Sequence, residues 1–442
     1  MVMEEYKMSK ATKVEEMIQS FTPFPLGDKN FQDFYVDTRS ARANTDTVGE
    51  LSTLLRYSSS NAKILFTGYM GSGKTTELYR LTQTIADDFI PITIRLEQEL
   101  DAYSLTHVDL ALAIMNAVVN YANTLENVKN EAIVDNLYNY WNTDKTLLQT
   151  TGLEETLDLA GGFKAEASAK LNFLNKMKFL MGISSSLTGI LKTGTETKTE
   201  IRQKMDPRLS VFLQMLNDVI YNINIEIAPK KLLLIIEDSD KLDIAKANEI
   251  FIEHRKALLA LNIPTIIMLP IYMVFSSNFA ALSGAVDSVV MLDMIQLYNE
   301  DGSLNSNGVQ ILTEIVEKRA DKTLFEDEVL GFLIEKSGGL LRDLFKMITK
   351  AAVGTIVANK TKVDMETAKN AYQSLKIERK RVIRNQEYVD VLLAIYNDPT
   401  STLDNEILLE LLRSTVVIQF PNSSRYMLHP VIVDYLKESG RL

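Results

Sequence analysis

The stretch Gly68-Tyr69-Met70-Gly71-Ser72-Gly73-Lys74-Thr75-Thr76 fits the spacing G-x-x-x-x-G-K-[ST], a pattern suited to holding phosphate. Its glycines let the loop fold so that successive backbone N–H groups converge on a β-phosphate, and the helix expected to follow adds its positive end. Lys74 is placed to bridge β- and γ-phosphates, and the Thr75 hydroxyl to ligate Mg2+. Such a loop needs an acid on a neighbouring strand. Lys231-Leu-Leu-Leu-Ile-Ile236-Glu237-Asp238 supplies an apolar run ending in two carboxylates, where strand ends meet ligand in α/β proteins. In the usual layout Glu237 holds Mg2+ through water and Asp238 orients or deprotonates the attacking water. The order is inverted from the familiar Asp-Glu, which leaves slow hydrolysis or an exchange of the two roles open; Asp240 is a third candidate.

These residues sit where strand and helix signals alternate. Lys63 to Thr67, Ile90 to Leu96, Lys231 to Ile236, Thr265 to Leu269 and Ser288 to Ile295 read as strands, several of them apolar on every side, as in a parallel sheet covered on both faces. Thr75–Asp87, Leu105–Leu125, Pro207–Ile223 and Ile244–Leu261 read as helices between them. Beyond Gly308 the periodicity is helical only (Val309–Arg319, Phe325–Lys336, Leu340–Ala358 and onward from Asp364). The end of the chain shows two helix signals, Val416 to Phe420, a Pro-Asn-Ser-Ser turn and Arg425 to Leu428, a winged-helix-like succession. The predicted organisation is a polar, irregular N-terminal arm (1–45), a phosphate-loop core (46–300) interrupted by a basic helical insertion (152–205), a helical lid (301–385) and a winged-helix-like tail (386–442).

Composition narrows the chemistry. The 442 residues carry 47 Lys plus Arg against 58 Asp plus Glu, a net charge of −11 that argues against a surface built to coat nucleic acid. With no cysteine there is no disulfide framework, zinc ribbon or thiol catalysis. His107, His254 and His429 lie far apart in sequence, against a His-based metal site or a Ser-His-Asp triad; His254 reads as a half-buried helix residue. The first residues mix acids and lysines without an apolar core and read as no signal peptide. The apolar run Phe179 to Leu191 is too short to span a bilayer, so no transmembrane segment is expected and a cytoplasmic location is the default. In the insertion, Leu171, Phe173, Leu174, Met177, Phe179, Leu180 and Met181 alternate with Lys170, Lys176 and Lys178. That stripe could lie on an anionic membrane, but a helical hairpin packed on its own core or on a neighbouring protomer is the favoured reading.

With both motifs in place, the chain resembles the AAA+ and STAND ATPases, in particular bacterial ATP-binding proteins near the origin-recognition type of AAA+ module. The residues carrying the resemblance are Phe34-Tyr-Val-Asp-Thr-Arg39, Phe66 to Leu78, Ile235-Ile-Glu-Asp-Ser-Asp-Lys-Leu242, Gly338-Gly-Leu-Leu-Arg342-Asp-Leu344 and Met427-Leu-His-Pro430. It implies an α/β phosphate-loop NTPase fold: a five-stranded parallel sheet with the phosphate-loop strand central, a helical lid and a winged-helix-like tail. It also implies that Arg342 reaches from the lid to the γ-phosphate, and that Tyr35 and Asp37 line the adenine side. Where such proteins carry a polar residue after the fourth strand, Met268, Leu269 and Pro270 are apolar, leaving Ser276 or Ser277 as substitutes. Arg255 and Arg202 are the candidates for an arginine finger, with ordinary surface arginines favoured.

The function implied is a Mg2+-dependent ATPase switch that couples nucleotide state to conformational change or assembly, in bacterial defence or signalling, with a homo-oligomer or an effector protein as partner. An initiator-type ATPase binding DNA through the tail and the basic segment Arg379-Lys-Arg381 with Arg384 is an alternative that the tail's acids (Asp404, Glu406, Glu410, Asp434, Glu438) disfavour. A nucleotide-holding scaffold with negligible turnover is another. ATP is preferred to GTP because Asn175-Lys-Met-Lys178 and Asn359-Lys-Thr-Lys362 both lack the Asp of a guanine-reading Asn-Lys-x-Asp.

Overall fold

The alternation of apolar side chains fixes the architecture. In the computed structural model, which describes residues 7–102, 104–125, 131–143, 173–193, 196–400, 406–419 and 425–442, strands β1 (Lys63–Gly68), β2 (Phe89–Arg95), β3 (Lys231–Glu237), β4 (Thr265–Leu269) and β5 (Ser288–Leu292) form one parallel sheet in the order β2-β3-β4-β1-β5. Successive residues of a strand point to opposite faces. Ile64, Phe66, Leu233, Ile235, Ile266 and Met268 therefore face the helices Thr47–Tyr57 and Lys74–Thr84. Leu65, Leu234, Ile236, Ile267 and Leu269 face His107–Ala122, Phe173–Thr193 and Leu209–Glu226. The three inner strands are buried along almost their whole length, with apolar residues at the middle of each, because both faces are covered. β2 and β5 mix buried and partly exposed positions because they form the edges.

The phosphate-loop strand is interior but not central: β4 is the middle strand, and β1 lies between it and the edge strand β5. The register decides what meets at the carboxyl edge. Gly68 pairs with Leu292, Thr67 with Leu269, and Arg95 with Glu237, so the phosphate loop and the acidic strand end open on the same side of the sheet.

The arm departs from the irregular segment expected. It carries short helices, Val14–Ser20 and Phe31–Phe34, and buries Val14, Met17 and Phe21 against Phe345 and Ile348 of the lid helix Leu341–Val357. The expected helix Ile244–Leu261 is broken into Ile244–Asn248, a π-helical turn Glu249–Glu253, and Arg255–Leu259. Of the insertion, residues 152–172, with Lys170 and Leu171, lie outside the described residues. In Phe173–Thr193 the side chains of Met177, Phe179, Leu180, Ile183, Leu187 and Leu191 are buried in the main core, while Leu174 is 56% exposed. Most of the stripe is thus covered by the chain's own helix His107–Ala122, which overturns the membrane reading and agrees with packing on its own core.

The lid consists of Ser306–Arg319, Val329–Lys336, Leu341–Val357 and Met365–Lys380. The tail runs Gln386–Asn397, Glu406–Arg413, an antiparallel hairpin of β6 (Val417–Gln419) and β7 (Tyr426–Leu428), and a closing helix Pro430–Glu438. The Pro-Asn-Ser-Ser turn lies outside the described residues.

Candidate functional site

The loop after β1 turns through left-handed backbone at Gly71 (φ +84°) and Gly73 (φ +103°), conformations that glycine adopts without steric cost. Gly73 is the residue from which the helix Lys74–Thr84 starts, so that helix directs its unpaired N–H groups at the loop. Lys74 is buried, and its Nζ donates to the carbonyls of Gly68 (2.9 Å) and Tyr69 (3.0 Å) and lies 2.7 Å from Asp240 Oδ2. The Ser72 hydroxyl is buried without a hydrogen-bond partner. Thr75 and Met70 are half-buried, and the Thr76 hydroxyl accepts from the Leu26 N–H (3.2 Å), tying the loop's helix to the arm. Tyr69 belongs to the loop by its backbone only. Its ring is fully buried, and its hydroxyl accepts from the Gln419 N–H of β6 at 2.7 Å.

Across β4, the end of β3 presents its acids. Glu237 is 6% exposed, and burial pushes its carboxyl up to about 7, with Arg95 (3.7 Å) opposing and Asp238 and Asp240 reinforcing. Asp238 adopts left-handed backbone (φ +66°) and pairs with Lys241 at 3.0 Å. The turn is closed by the Ser239 hydroxyl, which donates to the Met268 carbonyl. The carboxylate in contact with Lys74 is therefore Asp240, the third candidate of the sequence, while Glu237 and Asp238 stand beside it on the same turn.

Arg342 comes from the lid. It lies in the first turn of Leu341–Val357, and a Cβ placed on Gly71 would be 2.6 Å from its Cβ and 3.6 Å from its Nε. The lid thus rests on the phosphate loop at a point where only glycine fits. The neighbouring Asp343 turns inward to Arg379 (3.0 Å) and to His429 of the tail (3.3 Å).

Other candidates are placed elsewhere. Tyr35 donates through its hydroxyl to Glu77 (3.2 Å), stacks on Phe31 and lies under Arg80, bracing the phosphate-loop helix from the arm, while Asp37 is bound by Arg39 within the arm. The Ser276 hydroxyl closes its own turn on the Met273 carbonyl. Arg202 is an internal tie to the buried Asp109, and Arg255 bonds the Ile252 carbonyl. His254 is half-buried, as expected, but it lies in the bend before Arg255–Leu259 and has a histidine neighbour. His107 and His254 stack with ring centroids 3.8 Å apart at the head of a groove of about 660 Å3, and His107 contacts Asp206 at 2.7 Å.

Sequence reasoning missed Arg42. It lies in the arm, three residues beyond the quoted Phe34–Arg39 segment, yet its guanidinium is buried against the loop and donates to the Ser72 carbonyl (2.6 Å). No periodicity marks it. The only signal was its closeness in sequence to that segment.

The residues present fit a nucleotide with Mg2+. A glycine cradle, a helix start, a buried lysine and an unpaired serine hydroxyl surround one loop. Among the described residues no three His, Asp or Glu side chains are arranged to hold a metal by themselves. Mg2+ needs no such cage, since it commonly takes one or two carboxylates and fills its other positions with water and substrate phosphate.

No known family model matches the chain, and no curated protein matches it. Among solved structures it is similar to the Aeropyrum pernix ORC2 protein in ADPNP and ADP complexes (10% identity, 96% of this chain and 98% of that one, TM-score 0.46). It is also similar to the Aeropyrum pernix ORC1 protein in complex with DNA (14% identity, 92% and 94%, TM-score 0.39). A third is the Thermotoga maritima RuvB Holliday junction branch migration motor (11% identity, 89% and 94%, TM-score 0.36). With likeness this low, the chemistry of the site stands on its own geometry.

Proposed function

We propose that the chain is a Mg2+-dependent switch of AAA+/STAND type that binds and hydrolyses ATP and converts nucleotide state into movement of its lid and tail. The observation that carries this reading is the meeting of three elements at one loop: Lys74 in the cradle, Asp240 from the β3 turn at 2.7 Å, and the Arg342 backbone turn of the lid against Gly71. Lys74 and Arg342 are the cations for the β- and γ-phosphates, and Gly68 to Thr76 the backbone that cradles them. Thr75, Glu237 and Asp238 are the groups for Mg2+, which when bound offsets phosphate charge during transfer. Glu237 suits the ion side, because a buried carboxylate with only a 3.7 Å contact to Arg95 lacks a close cation. Asp238, less buried, is the group that orients water, and hydrolysis is expected to be slow.

Two features weigh against an initiator-type reading. The tail helix before the hairpin, Glu406–Arg413, buries Leu408, Leu411 and Leu412 in the main core with Ile271, Tyr272 and Met273. In the basic segment, Arg379 is spent on Asp343 and Arg384 on Glu410. No described helix is long and apolar enough to cross a membrane. A homo-oligomer or an effector protein is the partner this reading calls for, to be tested by solution mass with and without MgATP. Phosphate release is the decisive assay: turnover by the wild type that Asp238→Asn abolishes supports the switch, whereas binding without turnover means a scaffold. Salt-sensitive DNA binding would favour the initiator.

A further inference from the structure

We propose that Arg42 is a positioning residue of the nucleotide site, one that sets the phosphate loop's backbone and holds a positive charge for the polyphosphate. The inference rests on reading the loop as a nucleotide site. Arg42 is 3% exposed, and its three observed hydrogen bonds all go to neutral acceptors. Nε donates to the Thr38 hydroxyl (2.8 Å), Nη2 to the Ser72 carbonyl (2.6 Å) and Nη1 to the Asp293 carbonyl. No carboxylate of the described residues lies within ion-pair distance of it. The acids that act on it through space are Glu77, already engaged by Tyr35 and Arg80, and Asp293, which offers its carbonyl instead.

A guanidinium buried without a carboxylate in contact is unfavourable, and arginine does not escape by losing its proton. Such an arrangement is expected where the counter-charge arrives with a ligand. Its place agrees, since a Cβ on Gly73 would be 3.8 Å from Nη2. Its hydrogen bond has a further consequence. In a trans peptide the C=O and the following N–H point in opposite directions, so fixing the Ser72 carbonyl toward Arg42 turns the Gly73 N–H away from it. The Asp293 bond ties the same guanidinium to the residue after Leu292, the β5 partner of Gly68. One side chain of the arm thus spans the end of β5 and the loop. That is work for phosphate geometry, beyond holding the arm in place.

The test is calorimetric titration of wild type, Arg42→Met and Arg42→Lys with MgATP, MgADP and AMP, alongside thermal melts. Loss of a charge and a charge-assisted hydrogen bond predicts that Arg42→Met weakens MgATP by about 30-fold, MgADP by less and AMP least. Arg42→Lys should recover part of the loss in the same order, and it supplies the comparison if Arg42→Met does not fold. Equal weakening of all three nucleotides, or MgATP binding within about threefold of wild type in a folded Arg42→Met, overturns the proposal and leaves the nucleotide reading standing. A wild type that binds none of the three overturns both.

Discussion

Buried charges at two places in this molecule, the junction of lid and tail and the phosphate loop, are handled in opposite ways. At the junction of lid and tail, burial alone would raise the Asp343 carboxyl, yet Arg379 and His429 together hold it well below the usual carboxylate range. The partners come from three segments, so the pairing closes the lid helices Leu341–Val357 and Met365–Lys380 onto the tail. At the phosphate loop the balance is incomplete. Glu237 is lifted toward neutrality by burial, Arg42 has no carboxylate, and the Ser72 hydroxyl has no partner. Charges compensated inside the chain stabilise a fixed arrangement, whereas charges left uncompensated at a glycine-lined loop are what the proposed nucleotide site calls for.

The contrast is broken most severely at the junction. Asp343→Ala leaves the half-buried Arg379 and the buried His429 without their acid and should cost roughly 3–5 kcal/mol of stability, read from denaturant unfolding; a loss within the range of surface substitutions would mean that the junction is not structural. At the loop, Lys74→Ala should weaken MgATP by about a hundredfold while moving the melting temperature much less than Asp343→Ala does. If the two variants have similar melts and similar affinities, the distinction between the regions fails.

Glu237 gives a pH signature of the uncompensated region. Its folded pKa, about 7, lies above its ordinary value of 4.5. Between those values the folded state holds the proton that the unfolded state releases, so stability is lost as pH rises through that window and stays lower above it. In the presence of a chelator, Glu237→Gln should equal wild type near pH 4 and exceed it by about 3 kcal/mol at pH 8. Identical pH profiles would show that burial does not hold the proton. The smallest effect is expected at the link between the regions. Tyr69→Phe leaves the Gln419 N–H without its acceptor and should cost about 1 kcal/mol, with faster amide exchange across Val417–Gln419 and little change elsewhere.

Much of this was legible from sequence where local pattern decides. The strands of the sheet appear within a few residues of their expected ends, because alternation and unbroken apolar runs mark edge and inner strands directly. The phosphate loop and the acidic strand end fall at one sheet edge because parallel topology puts all strand carboxyl ends together. What was not legible depends on contacts between distant segments. Asp240 meets Lys74 only once β3 and β1 flank β4. Arg42 lies in an arm with no periodicity, and its role exists only against the folded loop. His107 and His254, remote in sequence, stack because the helix His107–Ala122 packs near the turn after the π-helical Glu249–Glu253. That π-helical turn broke a helix whose apolar spacing gave no warning. Asp343 and His429 stood within quoted segments, but their pairing required the tail to fold back on the lid.

The central claim is that one triphosphate is held by the loop, the β3 turn and the lid together. Isothermal titration of the full chain with MgATP tests it most directly. The account predicts saturable binding at one site per chain, weakened strongly by Lys74→Ala and measurably by Arg342→Ala. No heat with any adenine nucleotide, or binding that both substitutions leave unchanged, would contradict it.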